Sequence, residues 1–326
     1  MKNILASFDP LYEKFRYEYK IVIGESIDEI SRKNEYVSYI KNIHRTMPEC
    51  SVHRVCAEDV TEFNRNEYIL KALAAIYRKG DLNDSRVLVY CQPVLNVKTG
   101  KYDTAEALMR LHLEELGIVF PKQFIHLAEE QGYIHMLTEI ILHKTCDAIR
   151  RFTDAGYEIK RISVNVSVPE LKDDNFCGDI ISIIRESGIS GERIAIELTE
   201  SQNEDDFILM KEKIGELKEK GIKFYLDDFG TGYSSMERIM ELPFDIIKFD
   251  RSLVLASGME NRSRRMVASL ADMFSNMNYF VLYEGVEKDE DEAMCKSMSA
   301  TYLQGFKYSK PVPIVELKNY LNQAAV

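Results

Sequence analysis

The chain has 326 residues, 45% hydrophobic and 29% charged, the composition of a soluble globular protein long enough for one large domain with a smaller companion, or for two domains. Its 53 acidic residues against 42 basic ones leave a formal net charge of -11, which argues against a nucleic-acid polymer held through its phosphate backbone. A small anionic ligand stays open, provided metal ions or local basic groups offset the charge.

In chain order, residues 1–84 read as a small α+β segment. IVIGES (21–26) is a short strand running into a turn, and residues 26–47 carry helical apolar spacing through Ile27, Ile30, Tyr36, Ile40 and Ile43. CSVHRVCAE (50–58) reads as a second strand, and NRNEYILKALAAIYRKG (64–80) as a helix closed by Arg-Lys-Gly. From Arg86 onward strands and helices alternate. RVLVYCQPVLNV (86–97) and YDTAEALMRLHL (102–113), joined by a turn containing Thr99-Gly100, pair as a hairpin. Strands follow at 161–167, 193–201, in GIKFYLDD (221–228), and at 244–250, 279–287 and 301–306. Helices are expected at 121–132, 133–156, 169–188, 203–221, 234–243, 260–277, 288–300 and 313–323. Eight strands with interleaved helices over residues 85–326 predict an α/β, TIM-type (β/α)8 barrel whose first strand is antiparallel to the second. A doubly wound open sheet is the competing architecture.

In a parallel barrel the functional face lies at the C-terminal strand ends. Glu106 falls in or near the end of the second strand, Asn165 ends the third and Glu197 the fourth; Asp227 and Asp228 end the fifth, Lys248 the sixth, Glu284 the seventh and Gln304 the eighth. Strand alternation sends Asp227 and Asp228 different ways, one along the inner row and one into the following turn. Carboxylates that close repel unless a cation or proton sits between them. With carboxylates and amides as donors, the expected ions are Mg²⁺ or Mn²⁺, and two such ions fit a site that cleaves a phosphate ester. The six cysteines form no CxxC and the six histidines no HxxxH, so reduced thiols and no histidine-rich zinc site are expected. Neither a membrane span nor a signal-peptide core is legible, so the chain reads as cytoplasmic, or as the cytoplasmic part of a longer protein.

EALMR (106–110), FIHLAEEQG (124–132), NVS (165–167), ELTES (197–201), DDFGTGYSS (227–235), LPFDIIKFDRS (242–252), EGVE (284–287) and QGF (304–306) with Pro311 downstream stand in one order. Together they resemble the EAL-domain cyclic di-GMP phosphodiesterases over about residues 86–323. The resemblance implies a TIM barrel with an antiparallel first strand and hydrolysis of cyclic di-GMP to linear pGpG by metal-activated water. It implies that Glu106, Asn165, Glu197 and Asp227 hold one ion, and that Asp227, Asp228 and Glu284 hold or approach the second. Lys248 would orient the attacking water, Gln304 would position water or ligand, and Gln92 and Arg110 would contact the nucleotide. Glu200 matches the glutamate that anchors the DDFGTGYSS loop, and Glu287 the second glutamate of EGVE. A homodimer is a further family expectation.

This sequence departs from the family at Leu111, where a tryptophan often follows EALxR, and at Thr301, where an acid is common before the QG pair; neither removes a metal ligand. FRYEYKIVI (15–23) resembles the end of a GGDEF signature strand without its Gly-Gly-Asp core, so residues 1–84 read as a degenerate GGDEF remnant or a regulatory piece. The competing function is an EAL-type receptor that binds cyclic di-GMP without cleaving it. Such receptors typically lack one or more of the acids, all of which are present here.

Overall fold

The computed structural model of the chain describes residues 20–23, 33–48, 51–199, 204–231 and 236–322. Two compact units meet in sequence between Ala72 and Leu73. In the first, β1 (Lys20–Ile23) pairs in parallel with β2 (Ser51–Arg54), Ile21 lying opposite Val52. Parallel neighbours need a crossover, and α1 (Lys33–Thr46) lies between them in sequence. Tyr36, Val55 and Phe63 are buried together, with the Tyr36 and Phe63 rings edge-on at 5.5 Å. The helix expected at 64–80 begins earlier, as α2 (Ala57–Lys79), because the Asp59 carboxylate accepts the Cys56 backbone N–H at 2.7 Å and caps that turn. Residues 15–19 and 24–32 of the expected N-terminal elements lie outside the described residues.

In the second unit the hairpin is β3 (Val87–Asn96) and β4 (Lys101–Leu113), antiparallel with Gln92 opposite Glu106. A short β5 (Gly117–Val119) extends β4, and α3 (Ile125–Glu130) and α4 (Ile134–Asp154) follow. Then come β6 (Arg161–Asn165), a 3-10 turn (Val168–Lys172), α5 (Phe176–Ser187), β7 (Ile194–Thr199), α6 (Glu204–Lys218) and β8 (Lys223–Phe229). The chain continues through α7 (Met236–Glu241), β9 (Ile246–Phe249), α8 (Arg251–Met259), α9 (Asn261–Asn276), β10 (Phe280–Tyr283), α10 (Asp289–Lys296), β11 (Tyr302–Leu303) and β12 (Val312–Pro313). From β4 through β6 to β11 each strand is parallel to the next, and β3 is antiparallel to both β4 and β11. Those last two pairings close the ring into an eight-stranded barrel, and the open-sheet alternative is excluded.

Side chains two apart on a strand share a face, and this turns the barrel interior into layers. Val94, Ala195, Tyr225, Ile246, Leu282 and Tyr302 form one buried apolar layer. Two residues along each of those strands stand Gln92, Glu197, Asp227, Lys248, Glu284 and Gln304. The polar layer therefore sits directly on an apolar plug that keeps water from reaching it from below.

Several boundaries differ from the expected ones. The helix expected at 169–188 is a 3-10 turn followed by α5, because the Glu170 carboxylate accepts the Ser167 N–H at 2.8 Å and the Ser167 carbonyl accepts the Glu170 N–H at 3.0 Å, closing a separate turn. The last expected helix is a 3-10 segment, Ile314–Asn319. α8 was not expected at all, although Asp250 accepts the Ser252 N–H as an N-cap. The eighth strand pairs over only two residues, since Gly305 then crosses the chain at Val286 so closely that a Cβ there would lie 2.0 Å from the Val286 carbonyl oxygen.

That contact is backbone against backbone and has no flexible side chain to yield. Gly305→Ala is expected to destabilise the barrel by about 1–3 kcal/mol. Gly178→Ala, in helix α5 with nothing within 4 Å, should be neutral or stabilising by up to about 1 kcal/mol. Urea unfolding of both variants checks the pair, and equal stability of the two would contradict this account of barrel closure.

Candidate active site

Lys248 is 1% exposed, at the centre of the polar layer. Its ammonium contacts Glu197 directly, lies 2.8 Å from Asp227 Oδ1 and 2.8 Å from Glu284 Oε1, and 3.7 Å from Glu106 Oε2. Burial disfavours the lysine charge, but Asp227, Glu106, Glu197 and Glu284 together outweigh that cost and hold its pKa well above the ordinary value. The carboxylates show the converse. Burial pushes Glu197 well up despite Lys248 beside it. Burial also raises Glu284, to about 7, against the pull of Lys248 and with the push of Asp227 and Glu106. Five carboxylates, counting Asp228, share one ammonium, so the cluster is short of positive charge.

Amides tie the cluster to its neighbours. Asn165 Nδ2 donates to Glu106 Oε1 at 2.8 Å, which leaves the Asn165 carbonyl oxygen as that amide's remaining donor atom to a cation. Gln304 Nε2 donates to Glu106 Oε2 at 2.7 Å and to Gln92 Oε1 at 3.1 Å. Gln92 Nε2 in turn donates to the Ser309 carbonyl at 2.9 Å. The Gln304 side-chain oxygen Oε1 is buried without a hydrogen-bond partner.

Asp227 keeps the inner row that alternation predicts, two residues beyond Tyr225, while Asp228 stands exposed at the turn with its carboxylate brought back to Asp227. The β8–β9 register slips between Leu226 and Phe229, and Asp228 takes a left-handed backbone with φ 55°. A bulge of this kind re-aims side chains. Oxygens of Asp227, Asp228 and Glu284 consequently lie within 4.8 Å of one another. An all-oxygen set at that spacing, undercompensated by its single lysine, fits a hard divalent cation.

A cleft of about 240 Å³ opens on the cluster, lined by Gln92, Glu106, Leu108, Glu284 and Gln304 and by Arg251, Glu287 and Phe306. Glu287 pairs with Arg251 at 2.5 Å. Sequence reasoning missed Arg251 because it missed α8; the Asp250 N-cap is the signal that marks it. Arg110 is not brought into the carboxylate cluster. It stands four residues beyond Glu106 on β4, about 13 Å along a strand, between the Phe120 ring at 5.0 Å and the Tyr90 ring at 5.7 Å, and donates to the Met109 carbonyl at 2.7 Å. Glu200 and residues 232–235 of the DDFGTGYSS loop lie outside the described residues.

The raised carboxylates set a pH dependence. Glu284 and Glu197 bind protons more tightly folded than unfolded, so their contribution to stability is present at low pH and is lost as pH rises through the folded values, near 7 for Glu284. Metal-free protein should therefore melt at progressively lower temperature from pH 6 to pH 8, and Glu284→Gln should flatten that slope. A variant that keeps the full slope would refute the assignment.

The sequence profile of the EAL domain matches residues 75–311. Over 275 residues the chain is 27% identical to the cyclic di-GMP phosphodiesterase NbdA of Pseudomonas aeruginosa, covering 82% of this chain and 35% of that protein. It is 30% identical over 267 residues to the cyclic di-GMP phosphodiesterase PdeR of Escherichia coli, covering 81% of this chain and 40% of PdeR. The chain thus spans little more than a third of the length of these curated relatives. Among solved structures, the c-di-GMP complex of the PaMucR phosphodiesterase superposes with a TM-score of 0.68 at 25% identity, covering 76% of this chain and 99% of that one. A profile match across most of the chain, on a closed barrel with an antiparallel first strand and a carboxylate–lysine cluster at its strand ends, identifies the chain as a member of the EAL domain family.

Proposed function

We propose that this chain hydrolyses cyclic di-GMP to linear pGpG with two Mg²⁺ or Mn²⁺ ions. The observation that carries this reading is the intact cluster of Glu106, Glu197, Asp227, Asp228 and Glu284 around Lys248 at the floor of the cleft. Glu106, Asn165, Glu197 and Asp227 would hold one ion, and Asp227, Asp228 and Glu284 the other. When bound, such ions supply Lewis acidity, lowering the pKa of water and neutralising the phosphate.

The chain's own groups do the rest. Water adds to one phosphorus and the bond from that phosphorus to the ribose oxygen breaks, opening the ring. Glu284, whose Oε1 faces the Lys248 ammonium at 2.8 Å and lines the cleft, is placed to take the proton that the water loses, and the departing ribose oxygen ends protonated. Lys248 keeps its charge in a dry site and faces the negative charge that develops on the phosphate. Gln304 is fixed by its bonds to Glu106 and Gln92, and its unpaired side-chain oxygen Oε1 is free to accept from water or ligand. Gln92 and, farther up β4, Arg110 would receive the nucleotide. The apolar layer below keeps bulk water from entering through the barrel.

Residues 1–84 are proposed as a regulatory piece and 85–326 as the phosphodiesterase domain, working in the cytoplasm as a homodimer. Exposed Leu255 and Met259, one turn apart on α8, offer apolar surface for a dimer contact. Glu287, with Glu200, is assigned to anchoring the loop after β8; its pairing with Arg251 holds the cleft wall on the α8 side.

Purified chain incubated with cyclic di-GMP and Mg²⁺ or Mn²⁺ should yield pGpG by chromatography. Binding without turnover in either metal would instead establish the receptor reading. Glu106→Ala should lower kcat by two or more orders of magnitude, about 3 kcal/mol in transition-state terms, and near-parental turnover would remove Glu106 from the ligand set. Excess Ca²⁺ should inhibit, because its longer and looser coordination misplaces the reacting groups; an unchanged rate would count against the two-ion scheme.

A further inference from the structure

A second group of metal-ligating side chains lies between the helices outside the barrel strands. His135 and Glu139 are four apart in the first turns of α4, so they share a helix face. Asp179, in the first turn of α5, meets them. A ring nitrogen of His135 and one oxygen each from Glu139 and Asp179 lie within 4.8 Å of one another, all three residues partly exposed. His135 Nε2 is 3.1 Å from Asp179 Oδ2, and the Phe176 ring packs 5.7 Å from the imidazole and limits its rotation.

The other ring nitrogen provides an independent observation. His135 Nδ1 is buried without a hydrogen-bond partner, and so is Glu170 Oε2, 4.0 Å away on a side chain that is 1% exposed. Glu170 Oε1 is already held by the Ser167 N–H at 2.8 Å, so the glutamate is fixed with its second oxygen turned toward the histidine. A carboxylate behind a histidine, with the opposite nitrogen facing further carboxylates, is the arrangement that orients a metal-ligating imidazole.

We propose that His135, Glu139 and Asp179 form a second cation site, for a divalent transition ion of the Zn²⁺ class, with Glu170 as the carboxylate supporting the histidine. Imidazole with carboxylates suits such an ion, whereas the all-oxygen cluster in the barrel suits Mg²⁺ or Mn²⁺. Ligands of a tetrahedral Zn²⁺ at about 2.0–2.1 Å lie roughly 3.4 Å apart, close to the 3.1 Å that separates His135 Nε2 from Asp179 Oδ2, so this pair needs little movement to take an ion. The same glutamate caps the 3-10 turn that begins three residues beyond Asn165, so an ion here braces the segment that presents Asn165 to Glu106.

Full-length chain stripped with a chelator and returned to excess Mg²⁺ is titrated with Zn²⁺ in a calorimeter. The wild-type chain should bind one more zinc equivalent than either His135→Ala or Asp179→Asn, and Glu170→Gln should weaken that equivalent about tenfold or more. Metal-free melting of each variant reports whether it is folded, and Asp179→Asn, on a partly exposed side chain, keeps the test intact if His135→Ala is not. Equal zinc stoichiometry in wild type and folded variants overturns the site, as does a wild-type chain that binds no zinc; the four residues would then be only a histidine–carboxylate hydrogen-bonded cluster.

Discussion

Burying one ammonium among four carboxylates is the constraint on which the barrel of this protein depends. Lys248 has almost no contact with water, and a charge in that position is tolerable only because Glu197, Asp227, Glu284 and Glu106 surround it. Those carboxylates in turn come from β4, β7, β8 and the end of β10. No local segment could assemble them, so the cluster exists only when the ring of strands is closed. The balance is incomplete as well: one lysine cannot neutralise five acids, and the raised Glu197 and Glu284 record the shortfall.

Strand periodicity connects that cluster to the fold. The same alternation that places Ala195, Tyr225, Ile246, Leu282 and Tyr302 in an apolar plug places the functional residue of each strand one step further along. Stability and chemistry therefore use adjacent layers of the same strands. Two local departures sharpen the upper layer. The register shift after Leu226 and the left-handed Asp228 bring that acid to the rim beside Asp227 and Glu284, and the crossing of Gly305 over Val286 ends the eighth strand just after Gln304.

Much of this was legible beforehand. The antiparallel hairpin was announced by two alternating runs separated by Thr99-Gly100, and Glu197, Asp227, Asp228 and Glu284 could be named because each ends an apolar run. α8 was not read, because Arg251–Met259 directly follows β9 with its N-cap hidden inside the KFDRS run; with it Arg251 was lost from the cleft. Pro169 read as the start of one long helix, whereas the Ser167–Glu170 hydrogen bonds make a separate turn. Those bonds leave Glu170 facing His135, which a pattern of paired histidines does not reveal because only one histidine is involved.

By itself the sequence determined the alternation of strands and helices, the identity and order of the polar residues at the strand ends, and the oxygen-only character of the donors. These follow from periodicity and residue type, which are local properties. Tertiary structure decided which of those residues meet. Barrel closure brought Gln304 after the last strand of the ring against Glu106 and Gln92 on its first two, and set Lys248 in the centre of the polar layer. It also kept Arg110 out of the carboxylate cluster. Such distances depend on strand stagger and on a left-handed residue at Asp228, and neither leaves a mark on hydrophobic pattern or composition.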